Sequence, residues 1–196
     1  MTLIGIYGNV GSGKGVISNI DNYCIDREIP IYTNYHSKLP NAEMIEPEEV
    51  FEVFDNTDAK IPVKILDTDE AYFWFENRNS GVRDSNEFFS FLMFQSRKMG
   101  LVWKSSAQLR GTLDIHWRGM ESKVIYCHER ELDMSGESKD DFHYTIGKST
   151  LSELKIVNVS LKYKKALPYF SLYNTKEKIT SQEFRELKEK MLNKNT

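Results

Sequence analysis

Apolar residues in this chain come in short bursts, and each burst ends at glycine, proline or acidic residues. "LIGIY" (3–7) reads as a buried strand that stops at a glycine-rich loop. The stretch "KGVISNIDNYCID" (14–26) changes period: Ile17, Ile20 and Tyr23/Cys24 fall on one helical face. "IPIYTN" (29–34) predicts a second short strand. "PEEVFEVF" (47–54) predicts a helix, with Pro47 suited to its first turn and acids near its positive end. "IPVKILDTDEA" (61–71) reads as a third strand that turns polar at its carboxyl end. A strongly apolar helix over 85–99 follows, with Ser85 placed to cap it. "LVWKSSAQ" (101–108) and "SKVIYCHE" (122–129) complete the strands of this part.

Strands and helices that alternate in this way predict an α/β fold, with a mostly parallel sheet covered by helices on both faces. The pattern changes after that. Residues 133–141 are polar and read as a loop. Two alternating runs in 153–175, around Lys164–Pro168, predict an antiparallel hairpin added to the sheet edge. The last stretch is a polar helix, with Thr180 and Glu183 at capping-box spacing. No repeat or linker divides the chain. Residues 1–177 are expected to form one domain that includes the hairpin, with 178–196 as its C-terminal helix.

Composition narrows the class. The chain has 196 residues, 40% hydrophobic and 28% charged, enough for a real core. Its net charge of −3 means that any nucleic-acid partner must be met by a local basic patch. Cys24 and Cys127 lie far apart without metal-ligand spacing and read as buried free thiols. His36, His116, His128 and His143 share no metal-like spacing either. No apolar run is long enough to span a bilayer, and no signal peptide precedes the first strand. A cytoplasmic protein is expected.

The chemistry begins at "YGNVGSGKG" (7–15). Gly8, Gly13 and Lys14 fill the G-x-x-x-x-G-K positions of a phosphate-binding P-loop (Walker A), between a strand and a helix as that motif requires. Asn9, Val10, Gly11 and Ser12 form the rest of the loop, and Gly15 and Val16 open the helix. Backbone N–H groups freed by the glycines can wrap phosphates at the helix N-terminus, and Lys14 can reach the β- and γ-phosphates. One position departs from the motif. Gly15 stands where Ser or Thr would meet magnesium, so Mg²⁺ loses a direct protein ligand that a water can replace, and weaker metal binding is expected.

The third strand ends in Asp67-Thr68-Asp69-Glu70. A carboxylate at such a strand end can serve magnesium, as in a Walker B motif, and an adjacent glutamate can prime the attacking water. Asp69 and Glu70 fit that pair; Asp67 is an additional acid on the same face and the second candidate for the metal. A merely solvated strand end is the plain alternative. Gln108, at the tip of the "KSSAQ" strand, is placed to sense the γ-phosphate.

These stretches, with "IYTN", "LDTDEAYFWFENR", "FFSFLMFQSRKMGLVWKSSAQ", "LDIHWRG" and "YFSLYNTKE", occur in the order seen in zonula-occludens-toxin-like (Zot) proteins and viral genome-packaging ATPases. The chain therefore resembles the FtsK–HerA superfamily of P-loop ATPases over roughly residues 3–177. That resemblance implies an additional-strand ATPase fold of the RecA type, working as an oligomeric ring with ATP and Mg²⁺. Lys14 would bind phosphate, Asp69 would serve magnesium, Glu70 would activate water and Gln108 would sense the γ-phosphate.

A ring ATPase also takes an arginine from its neighbour. Arg118, in "LDIHWRG", is the first candidate and Arg97 the second. Arg78 and Arg83, in the polar loop 76–86, could track a DNA backbone. The lysines of "KYKK" (162–165) read as a hairpin turn, and "YFWF" (72–75) as packing. The expected activity is ATP-driven translocation of double-stranded DNA, gripped by its backbone, by a hexameric or pentameric ring at a viral capsid or portal vertex. The setting would be the host cytoplasm or the virion. The alternatives are a Zot-like filamentous phage assembly ATPase, a small-molecule kinase and a nucleotide-binding scaffold with weak hydrolysis.

Overall fold

The computed structural model describes residues 2–46, 49–50, 63–70, 100–113, 115–131, 139–149 and 154–173. Strand β1 (Thr2–Tyr7) leads through the glycine loop into helix α1 (Lys14–Tyr23). The short strands β2 (Ile31–Thr33) and β3 (Ala42–Met44) follow, then β4 (Lys64–Thr68) and β5 (Leu101–Ala107). Helix α2 (Ile115–Met120) precedes β6 (Lys123–Cys127). Strands β7 (Phe142–Ser149) and β8 (Leu154–Leu161) and helix α3 (Tyr163–Phe170) close the described chain.

All eight strands join one sheet in the order β3-β2-β4-β5-β1-β6-β7-β8. From β3 to β6 every pairing is parallel. β7 and β8 add antiparallel strands at one end. The order matters for the site: β5 is inserted between β1, which carries the loop, and β4, which carries the acids. The carboxyl ends of all three strands therefore open on the same edge, where ligands bind in open α/β sheets.

Side chains of β1 alternate between two cores because both sheet faces are covered. Leu3 and Tyr7 join Leu66, Trp103 and Trp117 of α2 on one face. Ile4 and Ile6 join Ile125, Phe142 and Ala166 of α3 on the other, against Val16 and Ile17 of α1. Trp103 and Trp117 meet edge to face at 4.9 Å, a favourable aromatic geometry.

Several expectations change. The hairpin exists, but its strands are β7 and β8; the segment expected to carry its turn and second strand is α3. Phe142, Tyr144 and Ile146 alternate with His143 and Thr145, and their inward members are buried or packed against the core. After Leu161 the spacing becomes helical: Tyr163, Ala166 and Phe170 all turn to that core. Pro168 lies inside this short helix, where it offers no hydrogen bond to the carbonyl four residues back. "KYKK" is accordingly the entry into α3.

The buried side of α1 is also different. Lys14, Ser18, Asn19 and Asn22 are buried, whereas Tyr23 is 45% exposed. Cys24 is exposed and Cys127 buried; both are free thiols. Apolar spacing misdirects here because the strands beneath α1 present charged side chains. The helices expected over 85–99 and beyond residue 178, most of that over 47–54 and of the 133–141 loop, and "YFWF" (72–75) lie outside the described residues, as do Arg78, Arg83 and Arg97.

Candidate nucleotide site

The loop between β1 and α1 is shaped by close approaches. Gly13 has φ +95°, a region that a side-chain-bearing residue enters only at a cost of about 1–2 kcal/mol. A Cβ there would also strike the Phe142 ring. The Tyr144 hydroxyl donates to the Gly13 carbonyl at 3.3 Å. The added hairpin thus buttresses the loop as well as extending the sheet. Asn9 donates to the Glu129 carboxylate beyond β6. Arg130 lies with its guanidinium 3.8 Å from the centroid of Phe142 and donates to Gly11 O at 3.5 Å. Val10 points into solvent, whereas Ser12 is buried beside Cys127, whose thiol burial pushes up to about 12.

Lys14 begins α1 and folds back across the loop. Its ammonium donates to Gly8 O at 2.9 Å and to Asn9 O at 3.3 Å. It also stands 3.9 Å from Glu70 Oε1. The loop, the first helical turn and the acidic end of β4 therefore converge on one cation.

Asp69 and Glu70 follow β4 directly. The Asn34 side chain pairs with the Asp69 backbone: Nδ2 donates to Asp69 O at 2.8 Å, and Asp69 N donates to Oδ1 at 2.8 Å. Ser106 on β5 donates to Asp69 Oδ1, which also accepts from Glu70 N at 3.1 Å. The Tyr173 hydroxyl donates to Oδ2. Glu70 then adopts φ +47°. For a residue with a Cβ this conformation costs on the order of 1–3 kcal/mol, and such strain clusters at functional sites.

Glu70 Oε2 is buried and accepts no hydrogen bond among the described residues. Burial pushes the carboxyl above its usual range, Lys14 pulls it down, Asp69 raises it, and the Gln108 amide beside it lowers it. Lys14, Glu70 and Gln108 are thereby brought together. For Tyr173, burial and the Asp69 charge both raise the phenol pKa, so its hydroxyl stays a donor at neutral pH.

Asp67 lies on the same strand face but is buried, and its Oδ2 is fully engaged. Ser18 Oγ donates at 2.6 Å, Asn22 Nδ2 at 2.5 Å and Tyr35 Oη at 2.9 Å. Lys104 of β5 donates to Asn22 Oδ1 at 2.7 Å and pairs with Asp21. Through these bonds Asp67 ties α1 to β4 beneath the site. Burial raises its pKa, while Lys104 and the three donors pull it down.

Among the described residues no group of three or more His, Cys, Asp or Glu side chains is arranged to hold a metal ion. A magnesium ion that travels with a nucleotide needs less, because phosphate oxygens and water supply most of its shell. Asp69, half-buried with an acceptor position to spare after three donors, and the orphaned Oε2 of Glu70 fit that requirement.

Arg118 is not in this group. Its carbonyl accepts from Arg110 Nη2 at 3.0 Å, and α2 leads into the start of β6, at the opposite end of the sheet from the loop. Asn34, Ser106, Arg130 and Tyr173 complete the surroundings of the site without having been singled out from the sequence. "IYTN" and "YFSLYNTKE" had marked two of them only as parts of a motif order.

Neither a protein-family model nor a curated protein matches the sequence. Solved structures do. The N-terminal domain of zonular occludens toxin from Neisseria meningitidis superposes with a TM-score of 0.60 at 16% identity, covering 88% of this chain and 98% of that one. The fold is that of a P-loop NTPase. The genome-packaging NTPase B204 of Sulfolobus turreted icosahedral virus 2, in complex with ATP-γS, gives a TM-score of 0.54 at 15% identity over 79% of this chain and 96% of its own. ATPases 2 and 3 of Thermomonospora curvata EccC give 0.53 at 9% identity, covering 82% of this chain and 37% of theirs. The P-loop NTPase fold accounts for the insertion of β5 between β1 and β4. No helix among the described residues is long and apolar enough to cross a membrane.

Proposed function

We propose that this chain is an ATP-driven DNA translocase, the genome-packaging ATPase of a virus. The observation that carries the reading is the placement of Glu70: strained, with one buried oxygen unpartnered among the described residues, and facing Lys14 and Gln108 at the open edge of β1, β4 and β5. The fold's likeness to the packaging NTPase B204 and to the Zot domain supports it.

In this reading the loop amides from Gly8 to Gly13 and the N-terminus of α1 bind the phosphates. Lys14 exchanges its contacts with Gly8 and Asn9 for the β- and γ-phosphates. Glu70 accepts a proton from the attacking water, and its raised pKa makes it a better base than an exposed carboxylate. Gln108 orients that water or the γ-phosphate. Asp69 would hold magnesium, which supplies neutralisation of phosphate charge. Arg118 enters the pocket of the next copy in a ring, with Arg97 second; Arg78 and Arg83 touch DNA phosphates, which fixes no base sequence.

The test measures ATP hydrolysis with and without double-stranded DNA, beside Glu70→Gln, and the particle size by light scattering with an ATP analogue. DNA-stimulated hydrolysis that disappears in the variant supports the translocase. Phosphate transfer to a nucleoside would establish a kinase instead, and a strict monomer in every state would remove the ring. A scaffold with weak hydrolysis is the second reading, favoured by Gly15 alone; tight ATP binding without turnover would establish it.

A further inference from the structure

Where a P-loop helix ordinarily carries a hydroxyl, this chain has Gly15, and the ring of Tyr173 lies over it. A Cβ built on Gly15 would meet Tyr173 Cε1 at 2.9 Å and Cδ1 at 3.3 Å. Even alanine there would have to move the ring. The ring is held from other sides: Tyr35 meets it edge-on at 4.6 Å, Tyr173 bridges to Ser37, and Lys38 N donates to Leu172 O at 3.0 Å. Its hydroxyl donates to Asp69 Oδ2. One aromatic side chain thus spans from the irregular P-loop position to the acid expected to face magnesium.

We infer that Gly15 and Tyr173 are a matched pair, in which the Tyr173 phenol does the work of the missing P-loop hydroxyl by fixing the Asp69 carboxylate on the metal side of the phosphates. Tyr173 is a positioning residue: it acts through Asp69, and glycine at 15 is what admits its ring. A side chain at 15 and the ring of 173 exclude each other. The inference rests on the nucleotide-binding reading above. Were Gly15 simply a lapse, the phenol would be dispensable and phenylalanine would serve equally well.

Tyr173→Phe keeps the ring and removes the hydroxyl. Affinity for a fluorescent ATP analogue, measured in EDTA and in saturating Mg²⁺, separates phosphate binding from the metal contribution. The expected result is an affinity in EDTA within about twofold of wild type. The gain on adding Mg²⁺ should shrink by about tenfold, as when groups that orient a metal ligand are lost. An undiminished gain overturns the inference. Thermal melting without nucleotide supplies the second arm. Gly15→Ser should lower the melting temperature, and Gly15→Ser combined with Tyr173→Ala should fall well short of the sum of the single losses, because the crowding is gone. Additive losses, or Gly15→Ser at wild-type stability, overturn the pairing. A wild-type chain that binds no ATP analogue in either buffer overturns the nucleotide reading, and the metal role with it, whereas the melting arm still decides the pairing separately.

Discussion

Asn34 and Asp69 are joined twice, side-chain amide to backbone, through hydrogen bonds of 2.8 Å in each direction. The two residues directly follow adjacent parallel strands, β2 and β4. Asn34 therefore fixes the turn that hands the chain on to Glu70. The amide donates to the carbonyl and accepts from the N–H at once, which neither a carboxylate nor an apolar side chain can do.

Replacing Asn34 should show this directly. Asn34→Asp keeps the acceptor and loses the donor; Asn34→Ala loses both. The alanine variant is expected to cost about 1–3 kcal/mol in urea unfolding, with turnover falling more than nucleotide affinity. Equal falls in both would mean that Asn34 supports the loop rather than the acids.

Glu70→Gln should abolish hydrolysis while ATP binding survives. In wild type the raised pKa gives a signed prediction. As the pH falls, the acid limb of the rate profile should begin higher than for an ordinary glutamate, because the base protonates sooner. The same shift means that the folded state holds this proton more tightly than the unfolded state. Glu70 therefore destabilises the fold once the pH exceeds its folded pKa, and that cost fades as the pH drops to its unfolded value. Glu70→Gln should accordingly melt no lower than wild type at pH 7, and the margin should close under acid conditions.

Asp67 offers the opposite outcome. Removing its carboxylate by Asp67→Ala strands the donors of Ser18, Asn22 and Tyr35 in the interior. Breaking a buried charged network in this way costs about 3–5 kcal/mol. Chemical denaturation should show that loss. A stable Asp67→Ala protein with weakened Mg²⁺ dependence would place Asp67 at the metal site instead.

Gly13→Ala should be severe for its size. It combines a left-handed backbone with a contact on Phe142. Gly13→Ala with Phe142→Ala relieves the contact but not the backbone, so it should recover part of the melting temperature lost in the single variant.

Much of the site was legible because P-loop chemistry is written in consecutive letters. Loop, lysine, Asp69-Glu70 and Gln108 each sit at the end of a strand whose apolar run announces it. The partners that orient them were not legible: Asn34, Ser106 and Tyr173 reach Asp69 from three separate segments. The polar underside of α1 was hidden for a related reason. Asn22 and Ser18 face inward only because Asp67 and Lys104 wait on the strands below. The hairpin was misplaced because Tyr163–Phe170 mixes apolar and polar residues in an order that suits either period, and Pro168 weighs against helix.

The strand that carries the loop has both of its neighbours far along the chain: Thr2 is in register with Val102, and Ile4 with Lys123. On the ribosome β1 can gain no flanking strand until β5 has emerged. Such distant pairings slow folding, since the entropy of closing long loops must be met first. The phosphate cradle thus cannot take shape early, and a chain cut short before β5 would leave a doubly apolar strand bare.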